Sequence, residues 1–421
     1  MMFLATDGTT PLITNDAVVL GILLSILAIV LWSSNHPKYA KIYRFFPALL
    51  AAYFIPALLN YPFGLISGEH SQLYFVASRY LLPACLVLLC LSIDFKAILG
   101  LGSKALIMFF TATFGIILGG PIALLITTSF FPDVIQATPD ELWRGLSTVS
   151  GSWIGGGANQ VAMKEIYEVG EDLFATMLVV DIIVANIWLG FLLYGASIAE
   201  KIDAWLKADT SAIDDLKQRV SDYQEKVKQM PTTQTTMILM AVGFGGTAIA
   251  HLFSGWVTPF MESHKETLSS LSLDSLASGF FWLVVVSTTI GLLLSFTKAR
   301  KLEGVGASRW GSIFIWILVA TIGMKMNISN IFDNWGLFFI GIIWMSVHVI
   351  TLIIVAKIIK APFFFVAVGS QANVGGAASA PVVAMAFSPT LAPVGVLMAV
   401  LGYALGTYGA IACAQLMSSV S

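Results

Sequence analysis

The apolar run Leu173–Ala199 carries a single carboxylate near its centre, Asp181. An ionised carboxylate at the middle of a bilayer costs about 2.5–3.5 kcal/mol on insertion scales, so such a group faces the protein interior. There it can bind Na+, carry a proton, or accept a hydrogen bond from a neighbouring helix. Two further polar sets surround glycine clusters. Ser150, Ser152, Asn159 and Gln160 flank Gly155-Gly156-Gly157, and Ser370, Gln371, Asn373 and Ser379 flank Gly375-Gly376. These are uncharged hydroxyls and amides. Together with carbonyls freed at the glycines, they are the oxygen ligands that a hard cation prefers. The positive ends of interrupted helices suit a carboxylate instead. The expected division places Na+ at Asp181, Ser150 and the hairpin carbonyls of Gly155, Gly156, Gly375 and Gly376. A solute would then contact Ser152, Asn159, Gln160, Gln371, Asn373 and Ser379.

The rest of the chain must hold these groups inside a membrane. Of its 421 residues, 57% are hydrophobic and 11% charged, against roughly 25% charged in soluble domains. With 22 basic and 24 acidic residues there is no cationic surplus for nucleic acid. Crossing a hydrocarbon core of ~30 Å takes about 20 apolar residues. Ten runs are candidates: Asp16–Trp32, Phe45–Asn60, Gln72–Ile93, Leu106–Phe130, Leu173–Ala199, Thr235–Trp256, Gly279–Phe296, Trp310–Met324, Trp335–Ile359 and Leu391–Leu416. Met1–Asp16 contains no Lys or Arg, so the first run reads as a retained helix, not as a secretory signal.

The stretches at 142–167 and 362–387 differ, because glycine interrupts each at its centre. Glycine costs about 1 kcal/mol relative to alanine inside a helix, so unwound backbone is expected there. Each stretch is either a broken crossing helix or a re-entrant hairpin. Charge parity favours hairpins. With the N-terminus outside, they place 17 of the 22 Lys and Arg, including Lys38, Lys41, Lys96, Lys104, Lys298, Lys357 and the central segment 200–230, on the inside. Five crossings plus one hairpin then precede the central segment and five plus one follow it. An odd number of crossings inverts the second half. The expected organisation is an all-α polytopic protein of ten helices and two hairpins: a first repeat over 1–199, a cytoplasmic amphipathic linker over 200–233, and an inverted repeat over 234–421. Both termini lie outside. Gly151-Ser152, Gly155-Gly156 and Val161-Ala162-Met163 are echoed by Gly369-Ser370, Gly375-Gly376 and Val383-Ala384-Met385.

In the linker, Ile213, Leu216, Val220, Tyr223 and Val227 follow heptad spacing. That suits an amphipathic helix on the cytoplasmic face or, alternatively, a dimer contact. Arg79 is placed to snorkel to the outer interface, with binding of a solute carboxylate as the alternative. His251 reads as interfacial, His348 as a hydrogen-bonded packing residue, and Asp94 and Lys325 as boundary markers. Signatures of an enzyme are missing: there is no His-Glu-x-x-His, phosphate loop or paired-cysteine site. No cofactor is expected besides the coupling ion.

At Gly151–Met163 and Gly369–Met385, and over nearly the whole chain, the sequence resembles the bacterial membrane family named domain of unknown function 819. That family is grouped with inverted-repeat secondary transporters such as the glutamate and bile-acid sodium symporters. The resemblance implies a homodimer in the bacterial inner membrane, working by an elevator motion. The tips here read Gly-Gly-Gly-Ala-Asn-Gln and Gly-Gly-Ala-Ala-Ser, without the Gly-Gly-His-Gly-Thr of glutamate symporters. The expected function is Na+-coupled symport of a small carboxylate-bearing solute: an amino acid, short peptide or dicarboxylate. Proton coupling, export or exchange, and membrane subunit of an ion-translocating decarboxylase stay open as alternatives.

Overall fold

A computed structural model describes residues 11–132, 137–209, 213, 230–270, 273–326, 335–388 and 391–421. Every regular element among them is helical. The principal helices are α1 Asp16–Ser34, α2 Ala48–Asn60, α3 Leu73–Leu91, α4 Ser103–Phe130, α5 Pro139–Gly155, α6 Gly157–Ile166, α7 Glu171–Ser197 and α8 Ala199–Leu206. Beyond the linker follow α9 Thr233–Glu262, α10 Gly279–Ser295, α11 Ala307–Gly323, α12 Trp335–Ile359, α13 Phe363–Val374, α14 Gly376–Phe387 and α15 Ala392–Ser418.

Among the described residues, seven helices are long and apolar enough to cross a bilayer: α1, α3, α4, α7, α9, α12 and α15. An eighth is reached if α10 is counted with the 3-10 turn Lys298–Val305, across a bend of 98°. Even with α10 counted that way, two of the ten anticipated crossings fall short on length; alone, α10 has 17 residues and is a third. Helix α2 has 13 residues and α11 has 17, about 20 and 26 Å at 1.5 Å per residue. The two lie backbone to backbone, since a Cβ on Gly323 would sit 2.2 Å from the Tyr53 carbonyl oxygen. Of the heptad stripe, Leu216, Val220, Tyr223 and Val227 lie outside the described residues.

Local chemistry sets several irregularities. Pro83 has no N–H, so the carbonyl four residues earlier, on Arg79, loses its helical donor. A π-helical turn covers Ala77–Leu81 at this place, and His251 of α9 donates its Nε2–H to the Arg79 carbonyl at 2.8 Å. Helix α5 starts with a Thr138/Glu141 capping box and Pro139 in its first turn. It ends at Gly156, whose φ of 76° and ψ of −175° leave helical space.

Both glycine-broken stretches fold back on themselves. The Arg144 guanidinium donates to the Tyr167 carbonyl at 3.1 Å, and the Trp143 and Tyr167 rings are 5.2 Å apart. In a continuous helix, 23 residues would separate those groups by about 35 Å. At the other end, a Cβ on Gly151 would meet the Asn159 carbonyl oxygen at 2.6 Å. The second pair closes likewise, with Phe364 and Phe387 rings 5.3 Å apart. So α5–α6 and α13–α14 are helical hairpins.

The hairpins pack inside a group formed with α4, α7, α12 and α15, while α1, α2, α3, α9, α10 and α11 pack chiefly on one another. Close approach in the first group is made by glycine. Gly119 and Gly120 of α4 receive the Trp344 indole of α12, and Gly402 and Gly406 of α15 lie against Ile154 and Gly155.

Candidate functional site

Asp181 is 4% exposed and faces the first hairpin. Trp153 of α5 donates its indole N–H to Oδ1 at 2.6 Å, and Gln160 of α6 donates its amide N–H to Oδ2 at 3.0 Å. Ser152, the residue before Trp153, is buried on the same arm. Both arms of the hairpin are therefore clasped by one charge on α7. Both donors are neutral, and among the described residues no Lys or Arg pairs with Asp181. A buried carboxylate without a cation is costly to hold, since the ordinary compensation is an opposite charge. Asn186, five residues on, turns away and donates to the Ile182 carbonyl.

Helix α12 reaches both hairpins from one face, because residues four apart on a helix are neighbours. Trp344 packs on Trp153 with ring centroids 5.2 Å apart. His348 holds the second hairpin: its Nδ1 lies 3.1 Å from the Ala112 carbonyl and its Nε2 2.8 Å from Ser370 Oγ. A carbonyl only accepts, so Nδ1 carries the hydrogen and Nε2 of the neutral ring accepts from Ser370. Ser370 in turn accepts from the Trp188 indole of α7 at 2.8 Å. Helix α7 thus binds the first hairpin through Asp181 and the second through Trp188.

The two hairpin asparagines are structural ties. Asn159 accepts from Thr407 of α15 at 2.6 Å and donates to the Gly155 and Tyr403 carbonyls at 3.0 Å each. Asn373 accepts from Thr113 of α4 at 2.8 Å and donates to the Phe109 and Gly369 carbonyls. Both amide hydrogens of each are used in these ties, and each Oδ1 has accepted one hydrogen bond. Ser150 bonds back to the Ser147 carbonyl at 2.7 Å, away from Asp181. Gly155 is wedged against Gly406, where a Cβ would meet that Cα at 2.5 Å.

What remains at the turns is more open. A Cβ on Gly157 or Gly376 would meet nothing within 4 Å, and one on Gly156 would meet only Tyr403 at 3.9 Å. Gly376 has a φ of 56°. Gln371 donates across its own tip to Ser379 at 2.6 Å, and Gly375 sits tightly between those two side chains. Two amide oxygens are buried without any partner: Gln160 Oε1 and Gln371 Oε1. An unmet buried acceptor costs about 1–3 kcal/mol, so this pair marks unspent binding capacity. The structure thus gathers Asp181, Ser152 and Gln160 beside the Gly155-Gly156 turn, and Gln371 and Ser379 beside Gly375-Gly376. Trp153, Trp188, Thr113 and Thr407, which complete these arrangements, carry no signal in the sequence beyond Trp153's place between Ser152 and Ile154.

An ion-pair cluster covers the base of the first hairpin. Lys164, 4% exposed, pairs with Glu171 at 3.0 Å and Glu165 at 3.4 Å. Arg79 pairs with Glu165 at 3.0 Å and Lys325 with Glu171 at 2.8 Å. Arg79 is thereby an anchor, and Lys325 ties the segment after α11 to α7. Asp94 caps the short helix Phe95–Leu99 and pairs with Arg300 at 2.8 Å. The base of the second hairpin has a different tie. Asp203 of α8 accepts the Phe363 N–H at 2.7 Å, and burial raises its carboxyl above the usual range while this hydrogen bond pulls it down.

Over residues 21–420 the sequence matches the family described as protein of unknown function (DUF819). The chain belongs to that family. A relative by sequence is the uncharacterized membrane protein YjcL of Bacillus subtilis (strain 168), 23% identical over 343 residues, or 80% of this chain and 82% of YjcL. DUF819 membership and the long apolar helices place this chain among multi-helix membrane proteins. The match spans both hairpins and Asp181, so the polar layer belongs to the DUF819 region of the chain.

Proposed function

We propose that this DUF819 protein is a secondary active transporter, a Na+-coupled symporter of a small carboxylate-bearing solute. The observation that carries the reading is Asp181: a buried carboxylate with neutral hydrogen-bond donors, clasping both arms of a hairpin that turns inside the helix bundle. Backbone leaves helical geometry within an apolar layer only where protein or a water-filled path can satisfy it. Two such turns, each opening into space at a glycine, supply that path.

In this reading the hairpins are re-entrant and the chain forms an inverted repeat of ten crossings and two hairpins in the bacterial inner membrane, as a homodimer. The group α4–α7, α12–α15 moves as an elevator against the other helices. Asp181 and turn carbonyls take Na+. The N-terminal ends of α6 and α14 receive the solute carboxylate, because the first amides of a helix have no partner within it. The driving force is adequate: one charge moved through 100 mV supplies about 2.3 kcal/mol.

The test is uptake into proteoliposomes, with and without an inward Na+ gradient, for wild type and Asp181→Asn. The variant keeps the size and polarity of the site and removes its charge. Loss of Na+-dependent uptake by at least about tenfold, in protein that elutes and melts like wild type, supports the reading. Unchanged Na+-dependent uptake removes Asp181 from it. Uptake that follows a proton gradient in choline buffer assigns the carboxylate to H+ coupling instead.

A further inference from the structure

We infer that the solute carries an ammonium group and that Gln160 Oε1, beside Asp181, is its acceptor, so that amino acids or short peptides are taken and simple dicarboxylates are refused. This rests on the transport reading above. It narrows the solute class by the polarity of the atoms left unpaired.

The orientation of Gln160 is set by its neighbour. An ionised carboxylate only accepts hydrogen bonds, so the Gln160 nitrogen must face Asp181 Oδ2, as it does at 3.0 Å. The oxygen of the same amide then points away, fully buried, with no donor. The second hairpin repeats the polarity: Gln371 gives its N–H to Ser379 and leaves Oε1 unpaired at 2% exposure. Asn159 and Asn373, which could have supplied donors, spend them on carbonyls. Besides the hydroxyls of Tyr53 and Ser379, the site therefore offers amide acceptors and, at Asp181, a carboxylate with no ion-pair partner among the described residues. An ammonium answers the open acceptors with three donors, and its positive charge shares the field of Asp181 with the coupling Na+. A second carboxylate at that place would oppose acceptor to acceptor and charge to charge.

Na+ is the other cation that such oxygens can hold, and matched solutes separate the two. The measurement is thermal unfolding of purified full-length protein with aspartate against succinate, glutamate against glutarate, and alanine against propionate, each in Na+ and in choline buffer. The amine-bearing member of at least one pair should stabilise at a concentration at least tenfold lower than its amine-free partner. In Gln160→Met, which keeps the length and removes the acceptor, that ratio should fall to about one. Gln371→Met should lower it less. If Gln160→Met does not fold, the wild-type pairs and Gln371→Met carry the test without it.

Equal responses to both members of every pair overturn the inference and leave the transport reading standing. A full ratio retained in folded Gln160→Met with only the Na+ response weakened also overturns it, making Oε1 an ion ligand. No response to any solute or to Na+, in folded wild type, takes down the transport reading and this inference with it.

Discussion

The two hairpins are built to one plan and fastened by different forces. In α5–α6 every residue from Ala158 to Lys164 is buried, a carboxylate clasps both arms, and ion pairs through Lys164 and Glu165 close the base. In α13–α14 the side-chain hydrogen bonds of Ser370, Gln371 and Asn373 involve neutral groups, and aromatic rings together with one carboxylate, Asp203 on the Phe363 N–H, close the base. One face of α14 is uncovered, with Val382 43% and Met385 45% exposed. Charge-assisted bonds are roughly twice as strong as neutral ones, and opening a buried ion pair exposes each partner to a low-dielectric interior. The first hairpin is therefore held by more charge, part of it reaching α3 of the other helix group through Arg79. The second is the arm that can separate at lower cost.

The largest effect that would break this contrast lies at the first turn. In Gly155→Ala the new methyl would meet Gly406 Cα at 2.5 Å and Asn159 at 2.3 Å, with backbone on the α15 side that cannot swing away. Overpacking typically costs 1–3 kcal/mol and sometimes more; with backbone opposing it, about 3 kcal/mol is expected, read as a sharp loss of folded protein and of melting temperature. A Gly155→Ala protein as stable as wild type would mean that the first hairpin yields easily.

Next come the threonines that tie each hairpin to a long helix. Thr407→Val and Thr113→Val are near-isosteric and each strands a buried asparagine oxygen, on Asn159 and Asn373 respectively. An unmet buried acceptor costs about 1–3 kcal/mol. The asymmetry predicts the larger loss for Thr407→Val, because the sealed hairpin cannot rotate Asn159 toward water. Equal melting shifts for the two variants would place the hairpins in equally rigid surroundings.

Much of this architecture was legible because glycine and charge are local signals. Gly155-Gly156-Gly157 and Gly375-Gly376 stand at the breaks, and the helices begin and end within a few residues of the apolar runs. The reversal of each hairpin followed from charge parity along the chain, and Arg144 on Tyr167 and Phe364 on Phe387 supply its geometry. The threonine partners of Asn159 and Asn373 were not legible. Each asparagine is fixed by a threonine about 250 residues away in sequence, 248 for Asn159 and 260 for Asn373, and a small polar residue near a glycine turn looks the same whether it awaits a ligand or a threonine. His251 was hidden for a similar reason: its partner is a carbonyl freed by a proline on another helix. Helix length was not legible at α2, α10 and α11, whose 13, 17 and 17 residues are fewer than the ~20 that a crossing calls for.

The smallest effects sharpen the contrast at the tips themselves. A methyl on Gly157 or on Gly376 meets nothing within 4 Å, so sterics alone predict two silent substitutions. Backbone conformation separates them. Gly376 has a φ of 56°, in the left-handed region, where a side chain costs roughly 1–2 kcal/mol. Gly157 opens α6 outside that region, and alanine there gains about what glycine loses in helix propensity. Gly157→Ala should therefore match wild type or exceed it by up to about 1 kcal/mol, with Gly376→Ala below wild type by about 1 kcal/mol or more. If that penalty is absent from Gly376→Ala, the second turn has relaxed out of its left-handed conformation at no cost, as a hairpin that opens readily would allow. If it is present in full, the turn is held by Gln371 and Ser379 as firmly as the first is held by Asp181, and the freedom of the second hairpin resides along α14 and not at its tip.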